Sequence, residues 1–220
     1  MTRWSRLSCG LALAVAAIGC GKRPQPPSLP ELAAQINATL PAAWKDKFSL
    51  TPGTIDAKGQ RYTLLVPKGW VASPAHEGTI VPADNTIIDA SPVFGFSNEV
   101  AVSSYCGGEC GPGRDWRKVS DDQFFAQFKD TRVRSTILTD EQQPSGRLMI
   151  VQREPEKGSD VKVTPQDKAR LVLRAWWEKN GTSYHLCQVS LSDISYELAP
   201  AMAAACMTAT VAPIPGAAAK

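Results

Sequence analysis

Ala169-Arg-Leu-Val-Leu-Arg-Ala-Trp-Trp-Glu-Lys179, then Asn180-Gly181, then Thr182-Ser-Tyr-His-Leu-Cys-Gln-Val-Ser-Leu191 is the stretch on which the reading of the fold turns. Asn-Gly holds the positive φ angles of a two-residue hairpin better than almost any other pair. Side chains alternate across a strand, so Leu171, Leu173, Ala175 and Trp177 share one face, and Val172, Arg174, Trp176 and Glu178 share the other. The first set reads as core. The second mixes apolar and charged groups, as expected of a face that is half-solvated or covered by a helix.

Upstream, Arg132 to Thr139 and Gly146 to Arg153 form a second expected hairpin around Gln143-Pro-Ser-Gly146, and residues 154–167 read as a polar loop. Ser120-Asp-Asp-Gln123 matches a capping box, followed on a helix by Phe124, Phe125 and Phe128. Strands are expected at Val93 to Phe96 and Glu99 to Tyr105, with a weaker signal at Thr86-Ile-Ile88. Arg61-Tyr-Thr-Leu-Leu-Val66 is another strand, and Pro67-Lys-Gly-Trp70 turns the chain sharply. Leu32, Ile36 and Leu40 recur at spacing four, which predicts a short amphipathic helix ending near Pro41. Downstream of the first hairpin, a helix from about Glu197 to Met207 turns Leu198, Met202 and Ala205 toward the sheet. The order of elements predicts an α+β domain: an antiparallel β-sheet covered by helices. It occupies residues 31–210, with 211–220 as a disordered tail.

Composition fits one globular domain. Of 220 residues, 43% are hydrophobic and 20% charged, which excludes collagen-like, coiled-coil and wholly disordered classes. Seventeen Pro and sixteen Gly imply many turns. No apolar run reaches the ~20 residues of an ordinary membrane-spanning helix. A formal charge of +3 is too small for a nucleic-acid footprint, so no nucleic-acid partner is expected.

The first twenty residues read as an address. Arg3 and Arg6 precede Leu7 to Gly19, which carries no charge, in the arrangement of an export signal. Ala17-Ile18-Gly19-Cys20 resembles the bacterial lipobox, in which a small residue precedes a cysteine. The resemblance implies cleavage after residue 19, and diacylglycerol and acyl chains on Cys20. Residues 20–30 then form the lipidated Cys and a Pro-rich tether, from Gly21-Lys-Arg-Pro-Gln-Pro-Pro-Ser28. Two or three chains hold a protein at a lipid membrane far more firmly than one, at ~0.8 kcal/mol per buried methylene. Gly21 is not the Asp that retains enterobacterial lipoproteins at the inner membrane, so the resemblance implies an outer membrane, facing the periplasm. Removing 1–19 leaves 22 basic against 21 acidic residues, close to neutrality.

Six cysteines then become four candidates for pairing: Cys106, Cys110, Cys187 and Cys206. Four cysteines in an exported chain allow three pairings. Cys106-Gly-Gly-Glu-Cys110 lies in a glycine-rich loop that can close a short ring, which favours Cys106–Cys110 and Cys187–Cys206. A thiol–disulfide enzyme using Cys106 and Cys110 is the sharper alternative, although its usual spacer is two residues. A four-thiolate zinc site is less consistent with an oxidising compartment, so no metal is expected.

Catalytic signals are sparse. There are two histidines, His76 and His185, no Gly-x-Ser-x-Gly elbow and no phosphate loop. His185 sits on a strand two residues before Cys187 and reads as a packed histidine. Asp121/Asp122 and Asp140/Glu141 fit capping or solvation better than acid–base work. No catalytic residue is assigned, and the expectation is a non-enzymatic protein with no cofactor beyond its lipid.

Tyr62-Thr-Leu-Leu-Val-Pro-Lys-Gly-Trp70 resembles the opening strand of PsbP-like domains, where an apolar strand runs into a Pro-x-Gly-Trp turn. DcrB-type bacterial lipoproteins carry such a domain behind a lipidated Cys and a tether. The resemblance implies a PsbP-like α/β/α sandwich and a role as an accessory or scaffold in the cell envelope. It covers residues 48–210 by architecture and 62–70 by motif. The expected function is therefore binding of an envelope protein partner, with Arg174 and Trp176 as candidate contacts. A periplasmic immunity lipoprotein that blocks a secreted toxin is the alternative within this class.

Overall fold

The structure is a computed structural model that describes residues 26–83, 99–105, 133–144, 146–155, 168–177 and 184–216. Within them the chain is mostly antiparallel sheet with few helices. Strands β1 (Leu50–Ala57), β2 (Gln60–Pro67) and β10 (Thr210–Pro213) make a small sheet in the order β1-β2-β10. A seven-stranded sheet has the order β3-β4-β5-β9-β8-β7-β6. Its strands are β3 (Trp70–Ala72), β4 (Thr79–Pro82), β5 (Glu99–Tyr105), β6 (Val133–Gln143), β7 (Gly146–Pro155), β8 (Ala169–Trp177) and β9 (Tyr184–Ser192). All pairings are antiparallel.

The hairpin on which the sequence reading turned is present as the β8–β9 pair, with Trp177 opposite Tyr184. Both of its faces are used. Leu171, Leu173 and Ala175 are buried with Met149 and Val151 on one face. On the other, Val172, Cys187, Val189 and Leu191 join the main core. Helix α2 (Ala199–Met207) packs there against β8, β9 and β2, which decides between the two expectations for that face: near α2 it is covered. Leu198, Met202 and Ala205 are at most 1% exposed, as their spacing required. Burying each large apolar side chain contributes about 1.5–3 kcal/mol.

Helix α1 (Leu29–Ala38) carries Pro30 in its first turn. Glu31 folds back to accept hydrogen bonds from the Ser28 backbone N–H at 2.7 Å and the Ser28 hydroxyl at 2.8 Å. A single side chain then docks α1 on β1. Asn37 donates from Nδ2 to the Leu50 carbonyl at 2.9 Å and accepts the Leu50 N–H at 2.7 Å, so its amide stands in for a strand's peptide group.

Four differences from the sequence reading have physical causes. Strand β1 was not expected, because Pro52-Gly53 reads as a breaker. Pro52, however, lies two residues from Leu50, whose backbone faces outward to Asn37, so its missing N–H leaves no ladder bond unmade. A Cβ on Gly53 would strike the Val66 side chain on the paired strand. The β1–β2 turn is Lys58-Gly59, both at positive φ (50° and 74°), the geometry of a tight hairpin. The tail boundary also moves: Val211 to Pro213, expected in the disordered tail, extend the small sheet as β10 beside Tyr62, Arg61 and Gln60. Strands β3 and β4 are too short for periodicity to reveal. Finally, β6 continues past Thr139, its expected end, through Asp140, Glu141 and Gln142, and Arg147 grips the Asp140 carboxylate with Nε at 2.7 Å.

Expectations for residues 1–25, 84–98, 106–132, 156–167 and 178–183 lie outside the described residues. They include the signal and Cys20, Cys106 and Cys110, and the Ser120–Phe128 helix. Asn180-Gly181 falls there too.

Candidate functional site

Strand alternation puts Trp176, Arg174, Val172 and Arg170 on the face of β8 that looks toward α2. The register brings His185 opposite Trp176 and Cys187 opposite Arg174. From the small sheet, Tyr62 reaches across 123 residues of sequence, and its hydroxyl is hydrogen-bonded to His185 Nδ1 at 3.1 Å. The three rings pack together. Tyr62 meets the His185 ring at 5.7 Å and Trp176 edge-on at 6.2 Å, and Trp176 lies 5.3 Å from His185. Tyr62 and His185 are fully buried; Trp176 is half-buried.

Arg174 and Trp176 were expected as a contact surface for a partner. The structure gives Arg174 an internal task. Its Nη1 donates to the Cys206 carbonyl at 2.6 Å and the Ala209 carbonyl at 3.1 Å, two acceptors at the C-terminal end of α2. A cation there also meets the negative end of the helix dipole. The guanidinium stacks 4.6 Å over the Trp176 ring. Burial lowers the Arg174 pKa to about 10, which leaves it a cation at neutral pH.

Arg170, four residues earlier on the same strand face, fastens the other end of this region. It donates to Gln152 Oε1 at 3.0 and 2.9 Å and to the Tyr196 carbonyl at 3.2 Å, and lies 4.6 Å over the Tyr196 ring. Tyr196 belongs to a 3-10 helix (Asp193–Leu198) that runs directly into α2. A third fastener is covalent: Cys187 and Cys206 form a disulfide between β9 and α2, with Cα atoms 5.8 Å apart. Both cysteines are buried. Two arginines and a disulfide thus close the chain's last helix onto the hairpin.

No part of this arrangement supplies an exposed nucleophile beside a base. His76 is exposed in the loop before β4 and lies near enough to Glu99 to act on its charge. Burial raises the Glu99 carboxyl pKa, and His76 pulls it partly back. Among the described residues no group of three or more His, Cys, Asp or Glu side chains is placed to hold a metal ion, and no helix is long and apolar enough to cross a membrane.

The sequence places His185 and Cys187 on one strand and favours the Cys187–Cys206 pair that the structure shows, but it does not reveal the partners of His185. Nothing local links Tyr62 to His185, Asn37 to Leu50 or Arg174 to Ala209; each joins elements that only the fold brings together. The one available signal was the half-polar face of β8, whose arginines required acceptors wherever a helix covered them.

No family model and no curated protein sequence matches the chain. Solved structures similar to it include the following two. Mog1p of Saccharomyces cerevisiae, a Ran-binding protein, aligns with a TM-score of 0.50 at 7% identity, over 76% of this chain and 97% of Mog1p. The PsbP protein (CyanoP) of Synechocystis sp. PCC 6803 aligns with a TM-score of 0.39 at 9% identity, over 74% of this chain and 92% of its own. At 7% identity the likeness to Mog1p is one of fold alone.

Proposed function

We propose that this chain is a lipid-anchored protein of the cell envelope, held through Cys20 at the periplasmic face of the outer membrane, whose domain binds a protein partner and catalyses no reaction. The observation that carries the reading is the order of signals at its start: two arginines, an uncharged apolar stretch, Ala17-Ile18-Gly19-Cys20, then a Pro-rich tether. The buried Cys187–Cys206 disulfide supports it, because structural disulfides persist in oxidising compartments. Use of the Mog1p fold for protein binding in another organism is compatible with a partner-binding domain.

Detergent phase separation of the full chain and of Cys20→Ala tests the anchor. The wild type enters the detergent phase and the variant the aqueous phase; wild type in the aqueous phase contradicts the reading. Crosslinking of the anchored protein in intact cells then separates the two partner classes. Envelope components support the accessory role, and a single imported toxin supports immunity.

A further inference from the structure

The two sheets differ in how their edges are guarded. Strand β1 is protected twice, by the Asn37 amide on Leu50 and by Pro52, and in the turn that follows it the Glu77 carboxylate accepts the Lys58 N–H at 2.7 Å. At one end of the long sheet β3 is three residues long. At the other, β6 has eleven residues, no proline, and no further strand beyond it among the described residues. Its residues 134–138 and 140–142 are exposed. Near its midpoint stand Ile137 and Leu138, each 49% exposed, two of the three exposed large hydrophobic residues among the described residues.

Charge runs in opposite senses from this apolar pair. Arg134 precedes it and Asp140 and Glu141 follow it. Arg134 and Glu141 are equidistant in sequence from the midpoint of Ile137-Leu138. In a regular strand they would point to opposite faces, because seven positions separate them. The bulge between Ile137 and Thr139 removes that mismatch. Arg134 pairs with Glu154 on β7 and Glu141 with Leu148, partners six apart, so Arg134 and Glu141 lie on the same face. The same holds for Thr136 and Thr139, opposite Gln152 and Ile150, and for Ser135 and Asp140, opposite Arg153 and Met149. Backbone N–H groups alternate with the same parity, so the members of each couple also present their hydrogen-bonding groups alike.

We propose that β6 pairs antiparallel with β6 of a second copy of this chain, about a twofold axis between Ile137 and Leu138, joining two long sheets into one. Arg134 of each copy then faces Glu141 of the other, Thr136 faces Thr139, and four apolar side chains cluster on the axis. A bulge ordinarily discourages edge pairing; this one brings a self-complementary register into phase.

Sedimentation equilibrium of the full chain in density-matched detergent, from low micromolar to submillimolar protein, tests the pairing. The wild type dimerises with rising concentration. Arg134→Glu, which sets two like charges face to face twice per dimer, weakens association about tenfold, and so does Glu141→Arg. The double variant R134E/E141R restores it, although the exposed Arg134–Glu154 ion pair within one copy stays broken. Near-UV circular dichroism confirms that each variant is folded. A wild type that stays monomeric at the highest concentration overturns the proposal, as does a folded double variant no better associated than the single ones.

Discussion

Three arginines point to the same face of the long sheet, and two regions of the molecule use them in different ways. Arg170 and Arg174, at the centre, lie under the last helical segment and donate to its main-chain carbonyls. Arg134, at the rim, makes an ion pair with Glu154 in which both side chains are at least half exposed. Water screens such a pair, so it contributes little to stability. The difference teaches that strand alternation decides where a side chain points, while its role depends on what covers it. The centre is closed by rings, carbonyl acceptors and a disulfide. The rim ends in β6, beyond which no further strand lies among the described residues.

The sharpest way to break this contrast is to remove the covalent fastener. Cys187→Ala with Cys206→Ala opens a cross-link across 19 residues and is expected to cost about 3 kcal/mol in urea unfolding. An unchanged midpoint would mean that the arginines and the apolar core close α2 without it. Next comes Asn37→Ala, which strips two hydrogen bonds from the Leu50 backbone and is expected to cost about 2 kcal/mol, with faster amide exchange at Leu50. Tyr62→Phe removes the hydroxyl bonded to His185 and is expected to cost about 1 kcal/mol in the same unfolding assay.

Glu99 sharpens the comparison through pH. Its folded-state pKa is raised by burial, so the protonated carboxyl favours the fold. That contribution is complete below the unfolded-state value and is lost as pH rises through the folded one. Glu99→Gln is therefore expected to be more stable than wild type at neutral pH, with the gap closing in acid. Asp140 behaves in the opposite sense: its hydrogen bonds from Arg147 lower its pKa, and their stabilisation is lost as pH falls through the folded-state value. The smallest effect is expected at the rim, where Ile137→Ser should shift monomer stability by less than about 0.5 kcal/mol.

The contrast also explains what was legible in the sequence. The β8–β9 hairpin, the β6–β7 hairpin, β5, β2 and the last helix all announce themselves through alternation, turn residues or spacing within one short segment. Cys187 and Cys206 could be paired in advance because each sat in a recognisable element. Strand β1 hid behind Pro52, and β10 behind an Ala- and Pro-rich end, because edge strands tolerate residues that central strands reject. The cluster joining Tyr62, His185, Trp176 and Arg174 was illegible for another reason. Its members come from three strands, and only the packing of the small sheet against the long one unites them.

The proposed lipid anchor and oxidising compartment are tested together by one measurement: the intact mass of protein extracted from membranes, followed by peptide mapping without reductant. The expected chain begins at Cys20, carries the added mass of diacylglycerol and acyl chains, and yields one linked peptide containing Cys187 and Cys206. A chain that still begins at Met1 without lipid, with Cys187 and Cys206 recovered as free thiols, would contradict both.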